Sequence, residues 1–262
     1  MVTDNPVKPD TQSKKLEKLK MKAMIFAAGQ GTRLKPLTNT IPKALVGIGG
    51  ITLLERCIMY LKNYDINDIT VNIHHFGQQI RDFLQENNNF GITIHLSDET
   101  DQLLDTGGGI LKARHFLEGN DPVLLINVDV LTNLNLSRLA RAHDEQMPLA
   151  SLVVRKRRTS RYLMFDKNMQ LAGWKNVDTG ETKVCRGDTI KAAVPFAFSG
   201  IHLIQPELFS KITETGKFSV IDLYLRLAAS EKIMAYDDRE SIWMDLGKYE
   251  EIGKAEELVK KI

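Results

Sequence analysis

Cysteine is scarce in this 262-residue chain, and the two present, Cys57 and Cys185, are too few for a disulfide framework or a thiolate-held metal cluster. Cys57 sits in the helical-looking stretch Leu53-Leu54-Glu55-Arg56-Cys57-Ile58-Met59, where a small buried hydrophobe is its natural role. Long apolar runs are also missing. No stretch approaches the ~18 residues of a membrane span, and the opening Met-Val-Thr-Asp-Asn-Pro lacks the pattern of a secretory leader. The expected location is the cytoplasm, with no membrane partner. Charge of one sign is not in excess either: residues 1–20 hold five lysines and three acids, leaving 30 basic and 30 acidic residues beyond them. That balance excludes a polyanion-binding surface, so no nucleic-acid partner is expected. Of six histidines, His74 and His75 are adjacent and the other four scattered, so none forms a metal-ligand set.

What is present reads as an ordinary globular protein, 43% hydrophobic and 26% charged. Residues 1–20 are polar, contain two prolines and end in Lys-Lys-Leu-Glu-Lys-Leu-Lys, a composition expected to give a flexible N-terminal extension. Residues 21–262 are expected to form one domain. Strands at 22–28, 69–74, 92–96 and 122–128 alternate with helices at 52–63, 77–87 and 108–117. Such alternation predicts an α/β fold, a Rossmann-like, mainly parallel sheet flanked by helices. Ala23-Met24-Ile25-Phe26 and Val123-Leu124-Leu125-Ile126 are continuously apolar, as central strands buried on both faces require. Further on come a helix near 136–146, a strand at 149–155, and a hairpin pairing 162–165 with 170–174 across Asp166-Lys167-Asn168. A strand at 196–204, a helix at 220–230 and a C-terminal helix from 249 complete the chain. The hairpin region is expected to act as a lid.

Ligands of such folds gather at the carboxyl ends of the strands. There, after the first strand, stands Gly29-Gln-Gly-Thr-Arg-Leu-Lys-Pro-Leu-Thr-Asn-Thr-Ile-Pro-Lys43. Glycines at 29 and 31 let an anion approach consecutive backbone N–H groups. Arg33 and Lys43 add one forked and one point-like positive charge, a pairing suited to phosphate. A plain strand-to-helix turn is the competing reading, and Arg33, Pro42 and Lys43 weigh against it. The third glycine of a dinucleotide fingerprint is missing, as is the Gly-Lys-Ser/Thr of a P-loop, which excludes both of those sites.

Asp129, in Asn127-Val128-Asp129, and Asp245, in Trp243-Met244-Asp245-Leu246-Gly247, each close an apolar segment. Together they would hold Mg²⁺, which takes few protein oxygens and completes its octahedron with phosphate and water. Either one alone is equally what a cap or turn uses. Asp105-Thr106-Gly107-Gly108-Gly109 precedes a helical pattern, and glycines there would let a base or sugar lie against bare backbone.

Taken in order, the Gly29–Lys43 segment, Thr106-Gly107-Gly108, Asn127-Val128-Asp129, Phe198-Ser199-Gly200 and Trp243–Gly247 resemble the motifs of sugar-1-phosphate nucleotidyltransferases. The N-acetylmuramate-1-phosphate uridylyltransferase branch is the most similar. The resemblance implies transfer of a nucleoside monophosphate from an NTP, UTP favoured, to a sugar 1-phosphate, with pyrophosphate released and Mg²⁺ as cofactor. It implies catalytic roles for Arg33, Lys43 and Asp129. It also implies nucleotide contacts from Ala28, Gly29, Gly31, Thr32, Thr106, Gly107 and Gly108, metal ligation by Asp129 and Asp245, and sugar contacts from Asn127 and Gly200.

Two departures stand out: Val128 replaces a frequent glycine, and the Glu-Lys-Pro element of the lid is absent. Gly173-Trp174-Lys175-Asn176 stands in its place, which leaves Lys175 either a substrate contact or a solvated hairpin lysine. The cluster Arg155-Lys156-Arg157-Arg158 with Arg161 either receives an acidic sugar substituent or forms an exposed basic turn. Guanylyl transfer to mannose or heptose 1-phosphate, and a non-catalytic sugar-nucleotide binder, are the alternatives, and a monomer or small homo-oligomer is expected.

Overall fold

The computed structural model describes residues 19–262. The extension expected over 1–20 therefore lies outside the described residues except at its end. There Leu19 N–H donates to the Tyr64 carbonyl at 3.2 Å and packs on the core.

The strands are β1 (Lys22–Phe26), β2 (Gly47–Ile48), β3 (Ile51–Thr52), β4 (Asp68–Ile73), β5 (Thr93–Asp98), β6 (Val123–Asn127), β7 (Val130–Thr132) and β8 (Ala150–Arg155). They continue with β9 (Arg161–Phe165), β10 (Leu171–Asn176), β11 (Thr182–Val184), β12 (Val194–Ile204), β13 (Ile233–Asp237) and β14 (Trp243–Asp245). The helices are α1 (Leu53–Lys62), α2 (Gly77–Glu86), α3 (Asp105–Leu117), α4 (Leu136–Gln146), α5 (Val220–Leu227) and α6 (Ile252–Val259).

One sheet of ten strands organises the molecule, ordered β11-β10-β9-β12-β6-β1-β4-β5, with β8 and β13 joined through β12. Strands β6, β1, β4 and β5 run parallel, as the strand–helix alternation demands. β12 then reverses direction against β6, β8 and β9, and hands the sheet over to the expected β9–β10 hairpin.

The continuous apolar character of β1 has its expected cause. Ala23 and Ile25 pack into a core with α1 and α2, while Met24 faces a second core with α3 and α5. The helices start where their sequences say they should. Thr52 Oγ1 accepts the Glu55 N–H at 3.1 Å and Asn135 Oδ1 the Arg138 N–H at 3.0 Å, each satisfying a donor that the first turn leaves free. α3 begins at Asp105, three residues ahead of the expected 108, so its glycines lie inside the first turn. The strands β13, β14 and β7 escaped the sequence because three to five residues carry too little alternation to register. No helix among the described residues is long and apolar enough to cross a membrane.

Both cysteines are free thiols that burial pushes up, Cys185 to about 11 and Cys57 further, so neither ionises readily. Burial also holds two core histidines neutral, pulling His143 down to about 4 and His202 to about 3. His143 shares a hydrogen bond with Ser151 Oγ at 2.8 Å, and His202 shares one with the Tyr224 hydroxyl. In the unfolded chain both titrate near 6.5. Below that pH the unfolded state takes up protons that the folded state refuses, so their contribution is whole above about 6.5 and is lost as pH falls towards 3. Urea unfolding should show stability declining from pH 7 to 4.5, with a shallower decline in His143→Gln. An identical slope in the two proteins would contradict this.

Candidate active site

The site is assembled where β1, β4, β5 and β6 end. Asn72, from β4, turns its side chain across the exit of β1, and its Oδ1 accepts the N–H groups of Ala27 at 2.7 Å and Ala28 at 3.3 Å. Its Nδ2 donates to Glu99 Oε1 at 2.7 Å, and Glu99 Oε2 accepts the Leu104 N–H at 3.0 Å. Glu99 and Asn72 are both buried, so this network fixes four elements with every interior polar atom engaged. Sequence reasoning missed both residues. The available signal was an amide in the middle of the apolar strand Ile69-Thr70-Val71-Asn72-Ile73, which is out of place unless it has buried partners.

Beyond Ala28 the chain enters the glycine loop. Gly31 sits at φ +62°, and the N–H groups of Gly29, Gln30 and Gly31 take no partner among the described residues. Three consecutive free donors leave the concavity open to an anion. The loop folds back so closely that a Cβ on Gly31 would lie 2.9 Å from Thr38 Cγ2 and 3.0 Å from Lys43 Cβ. Lys43 is thereby delivered to Asp129, and its Nζ is ion-paired with Asp129 Oδ2 at low exposure. The exposed Arg33 stands beside the 245–247 segment, its Nη1 3.5 Å from where a Cβ of Gly247 would be.

The short β7–β14 ladder brings the backbone at Asp245 alongside the backbone at Asp129 from a distant part of the chain. Asp245 pairs with Val130, and the Leu246 N–H donates to the Asp129 carbonyl at 2.9 Å. Gly200, at φ +74°, lies against Asn127: a Cβ there would be 2.8 Å from Asn127 Nδ2. Trp243 Nε1 donates to the Ser199 carbonyl at 2.9 Å, tying the two late motifs to each other.

These groups border a cavity of about 320 Å³. Its lining includes Ala28, Gly29, Lys43, Asn127 and Asp129, together with Asn72, Glu99, Leu103, Asp105, Thr106 and Lys217. Gly31, Thr32, Arg33, Gly200 and Asp245 are not among its lining residues. Among the described residues no three His, Cys, Asp or Glu side chains form a metal cage.

Three expectations change. Gly107 and Gly108 are buried, and both N–H groups donate to the Phe218 carbonyl, at 2.9 and 3.2 Å, so the protein itself occupies the bare backbone expected to meet a base or sugar. Lys175 lies on β10 opposite Tyr162 and Thr182, outside the cavity lining, because the hairpin's alternation turns it to solvent. The arginine cluster is not one exposed turn. Arg155 pairs with buried Asp238 at 2.5 Å, while Arg157 stacks 4.6 Å from the Trp243 ring and donates to the Phe198 carbonyl at 3.0 Å. Burial lowers the Arg157 guanidinium from its ordinary value, opposed by the Asp245 carboxylate nearby.

The family model described as nucleotidyl transferase matches residues 22–170, and the chain belongs to that family. It falls among the sugar-1-phosphate nucleotidyltransferases. It is 30% identical over 237 residues to N-acetylmuramate alpha-1-phosphate uridylyltransferase of Caulobacter vibrioides, a match covering 86% of this chain and 91% of that one. A protein of the same name from Neisseria meningitidis serogroup B is 30% identical over 231 residues, covering 87% and 93%. Among solved structures, the inositol-1-phosphate CTP transferase from T. maritima superposes with a TM-score of 0.73 at 16% identity, covering 94% of this chain and 97% of that one, a likeness of fold.

Proposed function

We propose that this protein transfers UMP from UTP to the 1-phosphate of an amino sugar, N-acetylmuramate 1-phosphate or a close relative, releasing pyrophosphate and leaving a UDP-sugar. The observation that carries the reading is the Lys43–Asp129 ion pair in the lining of a cavity that Gly29 also lines, next to three consecutive backbone N–H groups, of residues 29–31, without a partner among the described residues. A phosphate chain laid on Gly29–Gly31 reaches that pair, and the curated relatives reported above, which match along most of their length, are uridylyltransferases for a sugar 1-phosphate.

In this reaction an oxygen of the sugar phosphate forms a bond to the α-phosphorus. The bond between that phosphorus and the bridging oxygen breaks, and pyrophosphate leaves with the electron pair. The attacking group is already an anion near neutral pH, so no general base is needed. The chain's task is to bring two anions together and hold them in line. Lys43 and Arg33 offset phosphate charge. Asn72 and Glu99 keep the β1 exit rigid, and Asn127 beside Gly200 leaves room for the sugar.

The donor set suits an oxygen-ligated divalent ion: Asp245 at the end of β14 and Asp129 just ahead of β7, neighbours through the Leu246–Asp129 backbone hydrogen bond, with a lysine rather than a further carboxylate paired to Asp129. Asp129 and Asp245 would hold Mg²⁺, which supplies charge neutralisation on phosphate oxygens when bound.

The deciding experiment is the product mass after incubation with four NTPs and a small library of sugar 1-phosphates, with Mg²⁺ and with EDTA. The expected result is a UDP-amino-sugar that EDTA abolishes. A GDP-sugar would replace the base assignment, and no pyrophosphate from any pair would overturn the reading.

A further inference from the structure

Gly107 and Gly108 seat another part of this chain. The segment 214–219, which leads into α5, lies across the start of α3. The Phe218 carbonyl accepts both glycine N–H groups, the Phe218 N–H donates to the Leu104 carbonyl at 3.2 Å, and the Val220 N–H donates to Thr106 Oγ1 at 3.0 Å. The contact is closer than any side chain would permit. A Cβ on Gly107 would stand 2.3 Å from two carbons of the Phe218 ring, and one on Gly108 2.3 Å from the Gly216 carbonyl oxygen. Gly216 itself is at φ +68°, where a bend costs a glycine little.

This strap carries Lys217 to the cavity wall, between Gly216 and Phe218. The cavity is lined by two lysines against the carboxylates of Glu99, Asp105 and Asp129. One lysine, Lys43, is committed to Asp129. Lys217 is exposed and has no ion-pair or hydrogen-bond partner among the described residues. Of the two lysines that line this cavity, Lys217 is therefore the one whose charge is not already committed to a carboxylate among the described residues. Four hydrogen bonds pin the strap and the start of α5 to the start of α3, and so hold Lys217 among the residues that line the cavity.

We infer that Lys217 binds a phosphate group of the substrates, and that Gly107 and Gly108 are required because they seat the strap that presents it. The inference rests on the phosphate-transfer reading above. Two phosphates are within its chemistry, that of the nucleotide and that of the sugar 1-phosphate, and kinetics separate them.

Lys217→Ala is expected to raise KM about tenfold or more for whichever substrate carries the contacted phosphate, as for loss of a charge-assisted hydrogen bond, with Lys217→Arg within about threefold of wild type. Gly107→Ala, which displaces Phe218, should show the same loss. The double variant should be no worse than Gly107→Ala, because a lysine on an unseated strap has nothing left to contribute. Titration calorimetry with inorganic triphosphate probes the site without chemistry, and Lys217→Ala should weaken that binding about fivefold or more if the nucleotide phosphates are the ones contacted.

The proposal is overturned if Lys217→Ala leaves both KM values and triphosphate binding within about twofold of wild type, or if the double variant loses the product of the two single effects. Lys217→Ala and Lys217→Arg decide the point even if Gly107→Ala fails to fold. Wild-type protein that binds triphosphate through Lys217 but releases no pyrophosphate would defeat the reaction assigned above and leave this site standing.

Discussion

Lys43→Ala is expected to reduce turnover at least ~100-fold while the protein still folds, the scale seen when a main electrostatic stabiliser is removed. Lys43 does two things at once. It places one of the two lysines that line the cavity, and it holds the Asp129 carboxylate that would share a metal with Asp245. The Lys43 and Asp129 side chains both keep some contact with water, at 13% and 17% exposure, so a partner left alone is still solvated and the loss should fall on rate rather than on folding. Asp129→Ala should cost a similar factor, and the double variant little more than either single one, since the two side chains act as a unit. Single-turnover pyrophosphate release together with a urea midpoint checks each. Turnover within about threefold of wild type in a folded Lys43→Ala protein would remove Lys43 from the mechanism.

Gly31→Ala should come next, at about 100-fold in turnover with about 1–3 kcal/mol lost in stability. Two separate penalties meet at this residue. Its φ of +62° disfavours any side chain, and the added methyl would press 2.9 Å from Thr38 Cγ2 and 3.0 Å from Lys43 Cβ. Thr38 is itself held, its Oγ1 donating to the Gly31 carbonyl at 2.8 Å, so relief comes by moving Lys43. A shift of about 1 Å in a group that aligns two anions is what such a rate loss reflects. Gly50→Ala separates the two causes. Gly50 has a φ of +82° and nothing within 4 Å of an added Cβ, so its substitution should carry the backbone penalty and leave turnover alone. Equal turnover losses in the two variants would mean that strain, and not pressure on Lys43, is responsible.

Much of the fold can be read along the chain because its causes are local. β1 and β6 are uninterrupted apolar runs, α1 opens on Thr52-Leu53-Leu54-Glu55, and the β9–β10 hairpin turns on Asp166-Lys167-Asn168. Each follows from residues within a few positions of one another. The same holds for the glycine loop after β1, whose glycines, arginine and lysine fall within fifteen residues. The Asn72–Glu99 network was only half legible, because an amide inside an apolar strand marks Asn72 while its partner Glu99 lies 27 residues away. The reversal at β12 was not legible, since an antiparallel strand in mid-sheet carries the same apolar pattern as a parallel one.

By itself the sequence determined which chemical groups exist and which strand ends present them: the glycines at 29 and 31, Arg33, Lys43, and two aspartates closing apolar segments. Tertiary structure alone decided what each group faces. Gly107 and Gly108 meet Phe218 rather than a ligand, Arg155 and Arg157 turn inward to Asp238 and Trp243, and Lys217 arrives at the cavity on a strap bonded to residues 114 positions earlier. The physical reason is one of range. Backbone preference and apolar periodicity act over a few residues, whereas the neighbour of a bare glycine or a buried charge is chosen by packing between elements far apart in the chain.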